Sequence, residues 1–299
     1  MKKGNRFMVW LGVALVALGL GMIAFTQLFA GFLRSSLVFD AERAYSDVQA
    51  QIALGPRTPG SQAHGAAIQY IQSELEKAGW NVTIQALTYD GHEIQNIIAK
   101  RGDSANPIII GAHYDSRLAA DQDSNPLLAA QPVPGANDGA SGVAILLEMA
   151  RVMPANSAHN VWLVFFDAED QGELPAWDWI LGSRAFVANL DRSVKSAVVV
   201  DMVSDKDLNI YREGASDPAM TSDIWSTAAD LGYAHQFIDE GKYNILDDHL
   251  PFLQAGIPAV DIIDMDYPYW HTGADTADKV SPDSLKIVGD TLLAWLAKN

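Results

Sequence analysis

The chain carries a series of short apolar runs that do not alternate with polar residues. The clearest is Val161–Phe166, VWLVFF, all apolar and rich in β-branched or aromatic types. Such a run suits a central strand covered on both faces, whereas alternation would mark a strand with one wet face. Similar reasoning predicts strands over 107–112, 194–200 and 259–263, with a short one over 208–211. Residues 80–89 and 94–100 read as two strands joined at Asp90-Gly91, a dipeptide suited to tight hairpins. Between the strands, the pattern predicts helices over 40–54, 63–78, 142–153, 182–190, 218–231 and 247–255. Gly79 closes the second of these, and Gly256 with Pro258 ends the sixth. A last helix starts with Ser281 as N-cap and Pro282 at its first position. Residues 55–61 and 125–135 are loops. Strands alternating with helices predict an α/β sheet with helices on both faces.

The first 34 residues differ in kind from the rest. Lys2, Lys3 and Arg6 precede an uncharged apolar run over 7–33, which Arg34 closes. A bilayer core needs about 20 such residues, and this run is longer. Residues 1–34 are therefore expected to be a basic cytoplasmic start and one transmembrane anchor, with 35–299 as one large domain outside the cytoplasm. A cleaved signal peptide ending near Ala30 is the alternative. The chain has no cysteine, which excludes a lipid-anchored lipoprotein and structural disulfides. Charge sharpens the picture. Four of the 20 basic residues and none of the 37 acids lie in the first 34 positions, so the remainder carries a formal −21. Nucleic acid is not an expected partner. Most of these acids are a solvated surface, but some fall where a solvated surface does not.

The run over 161–166 ends in Asp167, Glu169 and Asp170. Carboxylates at the end of a buried strand are costly unless a cation or a proton-transfer step uses them. In open α/β sheets the ligand site lies beyond the carboxyl ends of the strands. Other strands end the same way. IIIGAHYDS (108–116) brings His113 and Asp115, and VVVD (198–201) brings Asp201. PGANDGASG (134–142) is a glycine-rich turn before a helix and holds Asp138, while YPYWHT (267–272) holds His271 in an aromatic loop. Alone, each has an ordinary explanation: a surface histidine, a helix cap, a packed aromatic. Together His113, Asp138, Asp170, Asp201 and His271 form a nitrogen-and-oxygen donor set that suits zinc. Glu169 stands beside a ligand, free to move protons.

With these motifs the chain resembles the zinc-dependent M28 peptidases, a family that includes aminopeptidases and the animal-type glutaminyl cyclases. The landmarks are GAHYDS, PGANDGASG, FFDAED, VVVDMV, DDHLPFLQAGIP and YWHT, in that order across most of 55–296. The resemblance implies a mixed, mainly parallel sheet sandwiched by helices, with 35–299 as the catalytic domain. It implies that Asp138, Asp170 and His271 hold a zinc ion shared by both branches. In the aminopeptidase branch His113 and Asp201 would hold a second zinc, with Asp138 bridging and Asp115 orienting His113. Glu169 matches the general acid/base.

Several features resemble the cyclase branch. Trp270 directly precedes His271, Asp247 opens the DDH string, and 171–186 looks like bacterial members of that branch. There Asp201 and Asp247 would share protons with Glu169, and Trp177, Trp270 and Tyr269 would wall the substrate pocket; Trp179 reads as core packing. The pair Glu169-Asp170 stands where many members carry Glu-Glu. The expectation is an enzyme on peptide N-termini, forming pyroglutamate from glutamine with one zinc. The alternative is an aminopeptidase with two. A metal-free binding domain is a third class, disfavoured by the intact ligand set.

Overall fold

The non-alternating runs become the middle of a six-stranded sheet. Its spatial order is β1 (Asn81–Tyr89), β2 (His92–Lys100), β4 (Val161–Phe166), β3 (Ile108–His113), β5 (Ser196–Asp201) and β8 (Ala259–Ile263). β4, β3, β5 and β8 are parallel, while β2 joins β4 antiparallel and β1 is an antiparallel edge. Every residue of the four parallel strands is buried, but β1 alternates between exposed and half-buried. The hairpin turns at Asp90 and Gly91, with φ of 50° and 83°, as a two-residue turn between twisted strands requires.

Helices cover both faces. Trp162, Val164 and Phe166 of β4 pack with Phe186 of α5 (Leu181–Ala188) and Phe252 of α7 (Leu250–Gln254). On the opposite face α4 (Ala140–Val152) crosses β3 and β5 very closely. A Cβ at Gly142 would lie 2.5 Å from the Val200 carbonyl oxygen and 2.8 Å from Ala112 Cβ, so glycine permits the approach. α1 (Ala41–Ala53), α2 (Gln62–Lys77) and α8 (Pro282–Leu296) pack around α4. Asp40 and Ser61 cap α1 and α2, and Ser281 caps α8.

The computed structural model describes residues 38–102, 105–154 and 161–299. The apolar run over 7–33 and the boundary at 34/35 lie outside the described residues. Among the described residues no helix is long and apolar enough to cross a membrane. Residues Phe39–Asn299 form one compact unit.

The pattern misses some elements. The loop over 125–135 contains a short helix, α3 (Pro126–Ala129), because Asn125 caps it and Pro126 begins it. A second sheet of two parallel strands pairs β6 (Ile210–Glu213) with β7 (Phe237–Tyr243). β7 reads FIDEGKY and buries only Phe237, so no apolar run announces it. The helix expected over 247–255 starts only at Leu250, leaving Asp247 to His249 in the turn before it. α6 (Pro218–Asp230) lies as expected.

The topology fixes where a ligand can bind. The chain leaves β3 for β4 on one side, and leaves β5 for β8 on the other. The switch point therefore lies between the carboxyl ends of β3 and β5. His113 and Asp201 are the last residues of those two strands.

Candidate metal centre and active site

The acids after β4 separate into different roles. Asp167 turns away: His64 Nε2 lies 2.7 Å from its Oδ1, and the Gln95 N–H donates to its Oδ2 at 2.8 Å. Ala168 then takes a left-handed φ of 48°, and the chain reverses to present Glu169 and Asp170. Asp115 holds that reversal. It accepts from the N–H groups of Glu169 at 3.1 Å and Asp170 at 3.3 Å, and from Gln171 Nε2 at 2.9 Å. Its Oδ1 also faces His113 Nδ1 at 3.4 Å. Asp115 therefore serves the acidic loop more closely than it serves His113.

The glycine-rich turn before α4 is fixed from outside. Asp275 accepts from the N–H groups of Asn137 at 2.9 Å and Asp138 at 3.2 Å, and from the Tyr267 hydroxyl at 2.6 Å. Gly139 has φ of 89°, and a Cβ there would lie 2.6 Å from the Asp115 carbonyl oxygen. The guanidinium of Arg57, wholly buried, donates to the carbonyls of Tyr114, Pro134 and Gly135. Burial lowers it to about 10, against the pull of Asp275, Asp115 and Asp138.

Asp138 ends up between two histidines. His113 Nε2 lies 3.2 Å from its Oδ1 and 3.1 Å from Asp201 Oδ1. His271 Nε2 lies 3.9 Å from its Oδ2 and 2.8 Å from Asp170 Oδ1. Two donor sets result, His113–Asp138–Asp201 and Asp138–Asp170–His271, each with candidate ligand atoms within 4.8 Å of one another. Asp138 Oδ2 and Asp170 Oδ2 are buried and meet no hydrogen-bond donor. Imidazole nitrogens with orphaned carboxylate oxygens fit a divalent cation such as zinc. His271 itself is held between rings. Trp270 stacks on it at 3.7 Å and Trp179 at 5.9 Å, and Arg117 lies over Trp179. Arg117 also donates to the carbonyls of Asp170 and Gly172 and to Asp121, whose Oδ1 is 3.4 Å from His271 Nδ1.

A cavity of about 440 Å³ opens here. Its lining is acidic in part, with Asp138, Glu169, Asp170, Asp201, Asp247 and His271, and aromatic and apolar in part, with Trp179, Trp270, Ile245, Leu246 and Met265. Burial pushes Asp170 up to about 6, with repulsion from Asp138, against the pull of His271. Burial likewise pushes Asp201 up to about 7, against the pull of His113. Glu169 is raised well above the usual range by burial, and Asp247 and Asp170 repel its charge. Asp138 goes the other way: His113 outweighs burial and lowers it. Carboxyls packed this closely titrate as a group.

The profile of peptidase family M28 matches residues 96–296, which contain both donor sets. The chain belongs to peptidase family M28. A glutaminyl cyclase of Bacteroides thetaiotaomicron, solved with N-acetylhistamine, is 34% identical with a TM-score of 0.83, over 88% of this chain and 99% of that one. A leucine aminopeptidase precursor from the same species is also 34% identical with a TM-score of 0.83, over 88% and 98%. Among curated M28 relatives, the glutaminyl-peptide cyclotransferase of Boiga irregularis is 26% identical, over 80% of this chain and 76% of its own length.

The structure brings together most of the residues singled out in the sequence. Glu169, Asp201, Asp247, Asp138, Asp170, His271 and Trp270 line one cavity. His113 reaches Asp138 and Asp201 without lining it. Two aromatics fall elsewhere. Trp177 stacks on His92 at 3.8 Å and packs beside Ile94 and Leu181, and Tyr269 packs edge-on against Tyr267 and borders a separate groove. Trp179, read as core packing, lines the cavity instead, in a short segment flanked by left-handed residues at Ala176 and Ile180. Arg57, Arg117, Asp121 and Asp275 were not singled out. Their signal is three-dimensional: Arg57, Arg117 and Asp275 bond backbone groups of the site distant in sequence, and Asp121 meets Arg117 and His271.

Proposed function

We propose that this M28 enzyme is a zinc-dependent glutaminyl-peptide cyclotransferase, converting an N-terminal glutamine to pyroglutamate with release of ammonia. The observation that carries the reading is the convergence of Glu169, Asp201 and Asp247 with Trp179 and Trp270 on the lining of one cavity. Cyclisation within one residue needs proton transfer more than it needs a water nucleophile, and a buried acid cluster supplies that. The similarity to bacterial glutaminyl cyclases supports it.

In the reaction the α-amine nitrogen attacks the γ-carboxamide carbon, the ring C–N bond forms, and the bond to the amide nitrogen breaks. Glu169 takes the proton from the amine and passes one to the departing ammonia. Asp201 and Asp247 share protons with Glu169. Asp138, Asp170 and His271 would hold the metal, which when bound would polarise the γ-carbonyl. Trp270 and Trp179 fix His271 and offer flat apolar faces to the substrate side chain.

The second reading, an M28 aminopeptidase, is favoured by one specific observation: the His113–Asp138–Asp201 donor set is intact. There two zinc ions would bind and Glu169 would take the proton from the attacking water. Assaying purified protein on a Gln-peptide and a Leu-anilide separates the two. Ammonia release without cleavage supports the cyclase, and released amino acid or aniline supports the peptidase. For the cell, our reading keeps residues 1–34 as a single anchor and 35–299 as a catalytic domain outside the cytoplasm. Its support is the apolar run with basic residues on its N-terminal side.

A further inference from the structure

Behind the apolar wall of the cavity lies a second cluster of buried ionisable groups that the reaction above does not use. His249 is wholly buried in the turn before α7, two residues after Asp247. Its Nε2 lies 3.2 Å from Glu213 Oε2, and its Nδ1 lies 3.7 Å from Asp261 Oδ2. Glu213 ends β6 and is 4% exposed. Both oxygens of Asp261 and one of Asp247 have no hydrogen-bond partner, and both ring nitrogens of His249 lack an aligned one. Charged groups this deep persist only where something compensates them.

Glu213 is the hub. It accepts from the N–H groups of Ala215 at 2.9 Å, Ser216 at 2.7 Å and Ile245 at 3.1 Å, and from the Ser216 hydroxyl at 2.9 Å. Burial pushes its carboxyl up, but His249 and these N–H groups outweigh burial and hold it at about 2. The Ile245 contact matters most for the site. Ile245 sits in the middle of the wall formed by Tyr243, Asn244, Ile245, Leu246 and Asp247. That wall follows β7, an edge strand with little apolar anchoring of its own. Its position therefore depends on polar pins, and Glu213, backed by His249, supplies one at Ile245.

We propose that Glu213 and His249 are positioning residues, a buried clamp that fixes the wall over 243–247 and so sets how tightly the cavity holds a peptide N-terminus. The clamp touches the wall and neither donor set around Asp138, so its loss weakens substrate binding while leaving that metal in place. Binding lost from ground and transition states raises KM, and displacement of Asp247 at the end of the same wall lowers kcat by a smaller factor. The proposal rests on reading this cavity as the active site.

Variants of the full chain test it, with kinetics, zinc content and backbone hydrogen exchange measured on each. Glu213→Gln is expected to raise KM about tenfold or more and to lower kcat by a smaller factor, following the loss of binding together with some displacement of Asp247. Zinc content should match wild type, and exchange should quicken over 243–247 alone. At position 249 the shape of the replacement decides. In His249→Gln the amide nitrogen reaches the place of Nε2 and can still donate to Glu213, so KM should stay near wild type. In His249→Asn it reaches only the place of Nδ1, so KM should rise as in Glu213→Gln. Combining Glu213→Gln with His249→Asn should add little, since both remove one contact. An unchanged KM and unchanged exchange in Glu213→Gln overturn the proposal, as do equal effects of Gln and Asn at 249. Should wild type process neither substrate type, the functional reading fails by itself. The exchange measurement then still decides the clamp: quickened exchange over 243–247 supports it, and unchanged exchange overturns it.

Discussion

Replacing His113 separates the two branches of the family, provided the replacement is chosen from the structure. His113 is 2% exposed and faces Asp138 and Asp201 at 3.2 and 3.1 Å. Alanine there would strip the partner from two buried carboxylates. Breaking a buried pair costs roughly 3–5 kcal/mol, against a total stability of about 5–15 kcal/mol. A dead alanine variant would therefore say little about metal. His113→Gln is the cleaner perturbation, since its amide nitrogen can still donate near the place of Nε2 but is a poor zinc ligand. On the cyclase reading the one zinc stays on Asp138, Asp170 and His271. Activity on a Gln-peptide then falls by less than about tenfold, or ~1.4 kcal/mol, as expected for a residue that only orients Asp138 and Asp201. Elemental analysis and an ammonia-release assay on wild type and variant measure both quantities. Two zinc ions in wild type, falling to one in the variant together with loss of peptide hydrolysis, would refute the preference for the cyclase.

Other outcomes follow from the same geometry. His271→Ala should lose both activity and most bound zinc, because it removes a ligand of the shared set; full occupancy by elemental analysis contradicts the assignment. Glu169→Gln should keep its zinc and lose turnover about 10²-fold or more on either substrate; near-normal turnover would remove Glu169 from the mechanism. Asp264, raised by burial from 3.8 to about 7, gives a pH signature away from the metal ligands. A carboxyl raised in the folded state favours folding below its unfolded value, and that advantage is lost as pH rises through the folded value. Asp264→Asn should accordingly gain on wild type between pH 4 and 7, by at most roughly 4 kcal/mol from the linkage relation; parallel denaturation curves across that window would contradict it. In cells the full chain should stay in the membrane fraction with the catalytic domain open to external protease, and a soluble mature chain beginning near residue 31 would favour a cleaved leader.

The sequence makes the parallel core legible because those strands have no wet face. Val161–Phe166 and Ala259–Ile263 match their predicted bounds, since nothing in a fully buried run competes with the apolar signal. β7 is illegible for the opposite reason, being an exposed strand of polar residues. The donor residues are legible because they end apolar strands or interrupt glycine turns. Their supports are not. Arg57, Asp275 and Arg117 look like ordinary surface charges in the sequence, yet they are buried and spend their hydrogen bonds on backbone groups of the site. Trp177 and Trp179 differ by two positions in one irregular segment, where neither period 2 nor period 3.6 in the sequence says which one reaches the cavity.

Those left-handed residues connect the fold to the chemistry. Ala168 (φ 48°) precedes Glu169, Met202 (φ 47°) follows Asp201, and His271 (φ 54°) is itself a donor. Each such residue costs of order 1–3 kcal/mol and persists only where its surroundings over-determine it. Here the surroundings are polar networks: Asp115 beneath Ala168, Asn137 bonded to the Met202 carbonyl, and the Trp270–His271–Trp179 stack. The same reversals bury carboxylates beside one another, and burial, with repulsion added, raises Asp170, Asp201 and Glu169 above their ordinary range. Strain and charge repulsion at one point both oppose folding, and neither is relieved by any described basic side chain lining the cavity other than His271. A divalent cation between Asp138, Asp170 and His271 would offset both. Metal affinity here is then coupled to the stability of the loops that carry the reaction, and the joint loss of zinc and activity expected in His271→Ala follows from that coupling.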